Sequence, residues 1–174
     1  MKRGLGFLSM VVKENGVPGG FARRPEPNSA MDTPDQVSAF DSQAVPGGPM
    51  AAIYCFTAVA CSRLTPRGGL LVDLGCGPGR FAAFLAGLRR DIRIVGYDLS
   101  PLMVETGNAN IRAAGLADRV ELRLGDMTSF ADQMPRDTDL INCLFAVHHL
   151  PSLDEVRQCI SQIGRAGRET GCGS

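Results

Sequence analysis

Apolar residues in the central part of the chain follow two kinds of pattern. Four short runs, at residues 70–74, 92–98, 120–124 and 139–145, are continuously apolar or alternate apolar with polar positions, as β-strands do. In the segments that follow them, apolar residues recur at intervals of three and four, which is the helical spacing. Strand and helix alternate four times, and this order predicts an α/β domain with a mostly parallel, doubly wound sheet and right-handed crossovers.

Two further helices are predicted before the first strand. Residues 33–36, Thr-Pro-Asp-Gln, form a capping box with proline at the first helical position, so a short helix should follow through Val37 and Phe40. Tyr54 and Phe56 lie in the second helix, residues 50–64. Either these two side chains pack in the core, or the helix covers a ligand as a lid. The predicted inner face of this helix is Ile53, Phe56, Thr57, Ala60 and Leu64.

The helices after the strands have recognisable first turns and apolar faces. Ser100 followed by proline predicts one helix start, and Ser152 begins a second capping box with Glu155. The predicted core-facing residues are Phe81, Phe84, Leu85 and Leu88 after the first strand, and Val156, Cys159, Ile160 and Ile163 in the last helix. These faces predict that both helices pack against the sheet.

Length and charge narrow the possible functions. The chain has 174 residues, 44% of them hydrophobic, which is enough for one globular core. Lys and Arg together number 18, as do Asp and Glu, so the formal net charge is zero and neither nucleic acid nor an anionic membrane is indicated as a partner. Residues 1–30, with many glycines and prolines, are predicted to be a flexible arm, and residues 31–174 the globular domain.

The six cysteines indicate a reducing environment. They lie in apolar stretches or beside glycines, with no CxxC pair and no histidine at metal-ligand spacing, so neither a disulfide framework nor a metal site is predicted. No stretch is apolar over the length that a bilayer requires. We therefore expect a cytoplasmic protein that binds no metal.

Residues 70–80, Leu-Leu-Val-Asp-Leu-Gly-Cys-Gly-Pro-Gly-Arg, are the centre of this pattern. A buried strand that runs into glycines at alternate positions brings the backbone into a tight turn that a ligand can approach closely. In dinucleotide sites, a third glycine of such a turn lets helix and strand pack together. Here that position is Arg80, which argues against NAD, although an NAD-dependent oxidoreductase remains an alternative if Arg80 is tolerated.

Four stretches, in this order, carry a resemblance to a known family. They are residues 72–79 (Val-Asp-Leu-Gly-Cys-Gly-Pro-Gly), 96–100 (Gly-Tyr-Asp-Leu-Ser), 125–127 (Gly-Asp-Met) and 144–150 (Leu-Phe-Ala-Val-His-His-Leu). The chain resembles the class I S-adenosylmethionine-dependent methyltransferases, and its first stretch is similar to their motif I. The resemblance implies a Rossmann-like fold and S-adenosylmethionine as the cofactor.

The resemblance also implies a set of cofactor-binding residues. Asp98 matches the acid that binds the ribose hydroxyls, and its distance of about 20 residues from the glycine turn is usual for such acids. Asp126 matches the acid that accepts from the adenine amino group, with the Met127 N–H at a ring nitrogen, and Asp73 matches the acid near the methionine amino group. The full set, with the three glycines as the pocket floor, is Asp73, Gly75, Cys76, Gly77, Gly79, Asp98, Leu99, Asp126, Met127 and Asn142.

Two histidines are the candidate catalytic residues. His148 and His149 follow the fourth strand, near where the resemblance places the transferred methyl group. Either could be a general base toward an acceptor hydroxyl or amine, or both are hydrogen-bonded loop residues. Asn142 is not followed by Pro-Pro-Tyr, the sequence typical of methyltransferases acting on exocyclic amines of DNA bases, so we expect a small-molecule acceptor.

The sheet of this family usually continues with three strands beyond the helix that begins near Ser152. The chain ends before them, so we expect four strands that form the cofactor-binding part of the domain, and self-association through an uncovered fourth strand. Two functions remain as hypotheses. One is a methyltransferase acting on a small molecule; the other is a non-catalytic S-adenosylmethionine-binding module or an inactive fragment of such an enzyme.

Overall fold

The described part of the chain is one sheet with helices on both of its faces. The structure, a computed structural model, describes residues 31–43, 45 and 47–170, with side chains up to residue 166. The arm predicted at residues 1–30 and Cys172 lie outside the described residues. The domain limits 31–174 stay a prediction.

Four parallel strands form the sheet: β1 Leu70–Leu74, β2 Arg93–Asp98, β3 Val120–Leu124 and β4 Thr138–Cys143. Their order across the sheet is β3-β2-β1-β4. Every residue of β1 is buried, as expected for a central strand of a sheet that is covered on both faces. The predicted α/β, Rossmann-like, doubly wound fold is confirmed.

The described helices are α1 Pro34–Gln43, α2 Ala51–Leu64, α3 Arg80–Leu88, α4 Pro101–Ala113 and α5 Leu153–Thr170. Single 3-10 turns lie at Ala131–Gln133 and Val147–His149. The predicted helix starts are confirmed by backbone N–H groups that donate to side-chain hydroxyls: Gln36 to Thr33 at 3.4 Å, Met103 to Ser100 at 3.0 Å and Glu155 to Ser152 at 3.2 Å. Within the described ranges, no helix has both the length and the apolar character needed to cross a bilayer.

Alternate residues of β1 contribute to two separate cores, because successive side chains of a strand point to opposite faces. Leu71 packs with residues of α2 and α3 such as Cys61 and Leu85. On the other face, Leu70, Val72 and Leu74 pack with Phe130 and with Ala166 of α5. With both faces covered, the carboxyl ends of the strands remain the accessible edge of the sheet.

The inner face of α2 differs from the predicted one. Ala58 and Cys61 are buried, whereas Ile53, Phe56 and Leu64 are exposed, with Phe56 77% exposed. The prediction that Phe56 packs in the core is wrong. It failed because α2 is apolar around most of its circumference, so hydrophobic spacing does not single out one face.

In α3, small residues make the core contacts that the sequence pattern assigned to large ones. Ala82 and Ala86 are fully buried, whereas the predicted Phe84 and Leu88 are exposed, at 41% and 47%. In α5, Ile160 is also exposed, contrary to the prediction. A helix that packs close to a sheet favours small side chains at the contact. The distance between helix and sheet cannot be predicted from hydrophobicity alone.

The apolar patterns did not predict the ends of two elements. β4 ends at Cys143 rather than at residue 145, because Phe145 has a φ of +56°, a left-handed conformation that a strand cannot contain. α5 continues to Thr170, beyond Ile163, which is the last core-facing residue predicted for it. Ala166 is buried against the sheet, so tertiary packing outweighs the weak helix propensity of the nearby glycines.

The close approach of α4 to the glycine turn depends on Gly107, which the sequence did not single out. A Cβ on Gly107 would lie 3.1 Å from the carbonyl carbon of Pro78 and 3.2 Å from the oxygen of Gly77. A Cβ on Gly79 would lie 2.8 Å from Cδ1 of Leu122. These glycines supply the close packing that the third glycine supplies in dinucleotide turns.

The side chain of Arg80 points away from the helix–strand contact after the turn and binds α1. Its Nε and Nη2 donate to the two carboxylate oxygens of Asp41 on α1, each at 2.7 Å, and Nδ2 of Asn110 also donates to Asp41 at 3.1 Å. At the other end of α1, Oγ of Ser100 donates to Asp32 at 2.6 Å. Helix α1 is therefore tied at both ends across the glycine turn.

Candidate functional site

A cavity of about 200 Å³ lies at the carboxyl ends of the strands, the edge at which open α/β sheets bind ligands. The predicted site residues that line it are Asp73, Gly75, Cys76, Gly77, Asp98, Leu99, Asp126, Met127 and His149. The other three, Gly79, Asn142 and His148, do not line it. Across the part of the chain that the structure describes, no three His, Cys, Asp or Glu residues gather as a metal site.

The glycine turn is joined to the end of β2 by backbone hydrogen bonds. The N–H groups of Gly75 and Cys76 donate to the carbonyl oxygen of Tyr97, at 2.7 and 3.1 Å. The φ angles of Gly75 and Gly77 are +69° and +51°, which L side chains rarely adopt. The Gly77 N–H donates to Oδ2 of Asp98 at 2.8 Å. The turn and Asp98 thus form one hydrogen-bonded unit.

Asp98 has both carboxylate oxygens fixed by backbone donors. Besides the Gly77 bond, the Ser100 N–H donates to Oδ1 at 3.0 Å. Burial raises the pKa of Asp98, while these hydrogen bonds and the charge of His149 oppose the rise. A carboxylate held in this way is oriented in advance to accept hydrogen bonds from hydroxyl groups in the cavity.

Asp73 is buried, with 3% of its surface exposed. Burial first, and then the negative charge of Asp98, raise the pKa of Asp73 to about 7, although Nδ2 of Asn142 donates to Oδ1 at 2.7 Å and opposes the rise. Asn142 therefore orients Asp73 instead of lining the cavity. Among the described residues, no lysine or arginine lines the cavity, so Asp73 fits a positively charged group of a ligand.

The raised pKa of Asp73 predicts how the stability of the ligand-free chain depends on pH. This proton leaves the unfolded chain near pH 3.8 and the folded chain near pH 7. Between these values the folded state binds more protons. The free energy of unfolding should therefore fall as pH rises from about 4 to about 7, by at most about 1.4 kcal/mol per pH unit.

Chemical denaturation at several pH values in this window measures that slope. Asp73→Asn should flatten it, because the buried group no longer titrates. Asp132→Asn is the matched control, since the Asp132 side chain is 80% exposed, and it should leave the slope as in the wild type. Equal slopes in the wild type and Asp73→Asn would contradict the assignment.

Asp126 and Met127 follow β3 and line the same cavity. Oδ1 of Asp126 accepts from both the N–H and the hydroxyl of Thr128, each at 2.8 Å. This local turn fixes the direction of the Asp126 side chain. The resemblance assigns this position to the adenine, and the structure places the acid where a ligand in the cavity can reach it.

The two histidines have different surroundings. His149 is half-buried and lines the cavity, whereas His148 is exposed and does not. Their rings lie 4.0 Å apart between centroids, at an interplanar angle of 37°. Of the two, His149 is the one positioned to meet a group inside the cavity.

Residues of α1, α2 and α5 that line the cavity were not identified as site residues from the sequence. Phe40 of α1 lies 3.4 Å from the position that a Cβ on Gly77 would take. Tyr54 of α2 packs edge-to-face on Phe81, and burial raises the pKa of Tyr54 to about 12. Tyr54 therefore packs against the core, as one interpretation expects, and also lines the cavity, as the lid interpretation expects. Glu155, whose sequence signal was only a capping box, also lines the cavity.

Comparison with known proteins places the chain in a family. Residues 71–171 match the family described as "Methyltransferase domain". The O-methyltransferase imqG of Aspergillus flavus is 34% identical over 100 residues, which are 56% of this chain and 35% of that protein. The methyltransferase GfsG of Streptomyces halstedii is 30% identical over 103 residues, 58% of this chain and 35% of that protein. The chain thus spans about a third of the length of these two curated relatives.

Solved structures share the fold. An S-adenosylmethionine-dependent methyltransferase of Methanococcus maripaludis superposes with a TM-score of 0.65 at 24% identity, covering 84% of this chain and 63% of that one. An amino pentose methyltransferase of Micromonospora echinaspora, solved with S-adenosylmethionine bound, superposes with a TM-score of 0.56 at 24% identity. The match covers 72% of this chain and 48% of that one. With the family match over most of the sheet and the glycine turn at its centre, this chain belongs to the class I S-adenosylmethionine-dependent methyltransferases.

Proposed function

We propose that the protein transfers a methyl group from S-adenosylmethionine to a small-molecule acceptor. The observation that carries the proposal is one cavity that joins the glycine turn, the acids at the ends of β1, β2 and β3, and His149. Two relatives are named O-methyltransferases, imqG and a ubiquinone biosynthesis enzyme of Xanthomonas axonopodis that is 24% identical over 70% of this chain. The zero net charge also favours a small acceptor over nucleic acid.

The three acids at the strand ends each have a proposed part in holding the cofactor. Asp98 accepts hydrogen bonds from the ribose hydroxyls, and Asp73 faces the ammonium group of the methionine part. Asp126 accepts from the adenine amino group, and the Met127 N–H donates to a ring nitrogen. Gly75, with no side chain, lets the ligand lie against the backbone of the turn.

When bound, S-adenosylmethionine supplies a methyl group on a positively charged sulfur, which is already a strong electrophile. The main task of the chain is then to hold the acceptor in line and to exclude water. Tyr54 and Phe40 cover the cavity from the side of α1 and α2. His149 is proposed to accept the proton that a hydroxyl or amine acceptor loses.

Titration calorimetry followed by a transfer assay tests the proposal. The chain should bind S-adenosylmethionine and S-adenosylhomocysteine and show no binding of NAD. With methyl-labelled S-adenosylmethionine and a pool of small metabolites, label should appear in an acceptor. The His149→Gln variant should transfer the methyl group at least tenfold more slowly, with its affinity for the cofactor unchanged. NAD binding, or no binding of either S-adenosyl compound, would overturn the proposal.

A non-catalytic cofactor-binding module is the second candidate. It is favoured by β4, which pairs with β1 alone among the described strands. Binding of both cofactor forms without any labelled product would support the module. The same outcome would exclude catalysis by this chain alone.

Self-association through β4 is proposed on the same observation. Among the described strands, β4 is paired on one edge only, and the unpaired backbone groups of such an edge can pair with another chain. Light scattering should show mass that rises with concentration, and hydrogen exchange should show β4 amides slowing in parallel. A stable monomer with cooperative unfolding over the whole concentration range would contradict this.

The proposed location is the reducing cytoplasm. The cysteines that the structure describes are all free thiols. Burial raises the pKa of Cys143 to about 12 and that of Cys76 well above its usual value. These two thiols therefore stay protonated and behave as small apolar residues of the core.

A further inference from the structure

The carboxylate of Glu155 has an unsatisfied atom at the cavity. Its Oε2 is buried and has no hydrogen-bond partner among the described residues. Glu155 lines the cavity from the first turn of α5. Buried carboxylate oxygens are rarely left without a donor, since each unmade bond costs stability. An oxygen in this condition beside a ligand cavity indicates a donor group on the ligand.

The packing of α5 shows which end of the cavity Glu155 occupies. Helix α5 is joined to the segment that follows β3, where the Ala131 N–H donates to Oε1 of Gln162 at 3.1 Å. Cys159 lies one helical turn after Glu155, on the same side of the helix. Burial raises the pKa of Cys159, and the negative charge of Asp126 adds to the rise. Glu155 and Asp126 line the same cavity, and α5 packs on the 3-10 turn that follows Asp126 in the chain. We therefore take the two carboxylates to share one end of the cavity.

Two carboxylates at one end of a cavity repel each other unless a ligand supplies donors to both. Asp126 uses Oδ1 for the two bonds from Thr128, which fixes the carboxylate in place. No lysine or arginine in the described chain lines the cavity and could serve Glu155 instead. The matching ligand group has two N–H donors on one atom, as the exocyclic amine of adenine does.

We propose that Glu155 is a specificity residue that accepts the second hydrogen of the adenine 6-amino group, while Asp126 accepts the first. The inference rests on the proposed placement of the cofactor and adds a residue to it. A 6-oxo purine would place an oxygen against two carboxylates, so this pair rejects it. Glu155 thereby selects an adenosyl over an inosyl ligand.

Calorimetry with S-adenosylhomocysteine and S-inosylhomocysteine tests this directly. Glu155→Gln replaces the charged acceptor with an amide that can donate to a 6-oxo group, so the preference for the adenosyl compound should fall at least tenfold. Glu155→Leu should weaken the binding of S-adenosylhomocysteine at least tenfold. It should also raise the melting temperature of the ligand-free chain, because the buried oxygen without a hydrogen-bond donor is gone. Opposite signs in binding and stability distinguish a ligand-binding group from a structural one.

Asp154→Asn is the matched control. It removes the same charge from the same helical turn, but the Asp154 side chain is 88% exposed and does not line the cavity. It should leave both affinities unchanged. If the wild type binds S-adenosylhomocysteine and Glu155→Gln keeps the wild-type preference, the inference fails and the proposed function stands. A loss that is equal for both compounds and absent for 5′-methylthioadenosine, which has no ammonium group, would instead assign Glu155 to that ammonium. If the wild type binds neither compound, both proposals fail.

Discussion

Asp98→Ala should abolish measurable binding of S-adenosylmethionine. The variant removes the acceptor of two ribose hydroxyls, and charge-assisted hydrogen bonds contribute about 1.5–3 kcal/mol each, so affinity should fall about a hundredfold or more. It also frees the Gly77 N–H, which donates to Oδ2 at 2.8 Å, so the turn loses part of its support. Titration calorimetry measures the loss, and circular dichroism shows whether the fold is kept.

Asp98→Asn separates these two effects. The amide keeps the shape and one of the two acceptors that the Gly77 and Ser100 N–H groups use, but it loses the charge and turns its NH2 toward the other N–H. We therefore expect a smaller loss of affinity than in Asp98→Ala, with a modest loss of stability. Asp91→Ala is a control of the same type in an exposed ion pair with Arg89, and it should leave binding unchanged. Wild-type affinity in Asp98→Ala would exclude Asp98 from the cofactor site.

Gly75→Ala should unfold or strongly destabilise the chain. A Cβ on Gly75 would lie 2.2 Å from Cβ of Ala146, and Gly75 has a φ of +69°. The left-handed conformation costs about 1–2 kcal/mol, and forced overpacking adds about 1–3 kcal/mol. We expect a loss of about 2–5 kcal/mol in the free energy of unfolding by chemical denaturation. The segment that carries His149 follows Ala146, so cofactor binding should weaken as well.

Gly115→Ala isolates the backbone part of this cost. Gly115 has a φ of +67°, almost the same as Gly75, but a Cβ there would meet nothing within 4 Å. It should lose about 1–2 kcal/mol and keep full cofactor binding. Equal losses in the two variants would show that the contact between Gly75 and Ala146 has no energetic importance.

The parts of the site that are local in sequence could be predicted without the structure. The glycine turn and Asp98 are joined by a fixed spacing along one strand–helix–strand unit, and the physical demand for glycine at positive φ is visible in the sequence itself. The helix starts at Thr33, Ser100 and Ser152 follow for the same reason, since a cap acts within three residues.

Contacts between distant segments could not be predicted in this way. Gly107 looks like an ordinary helix residue until α4 is laid against Pro78 of the turn. Phe56 and Tyr54 have the same apolar character, and only packing exposes the first and brings the second to the cavity. His148 and His149 are adjacent in sequence, and the 3-10 turn at Val147–His149 decides which of them the cavity contains.

The sequence by itself determined the fold class, the family and the acids at the strand ends, because periodicity, caps and the glycine turn are encoded over short distances. Only the tertiary structure decided the burial that raises the pKa of Asp73, the tie between Arg80 and Asp41, and the position of Glu155 at the cavity. Each of these depends on which surfaces meet when the helices close on the sheet. Burial and partner distance are properties of that closure, and the order of residues alone does not contain them.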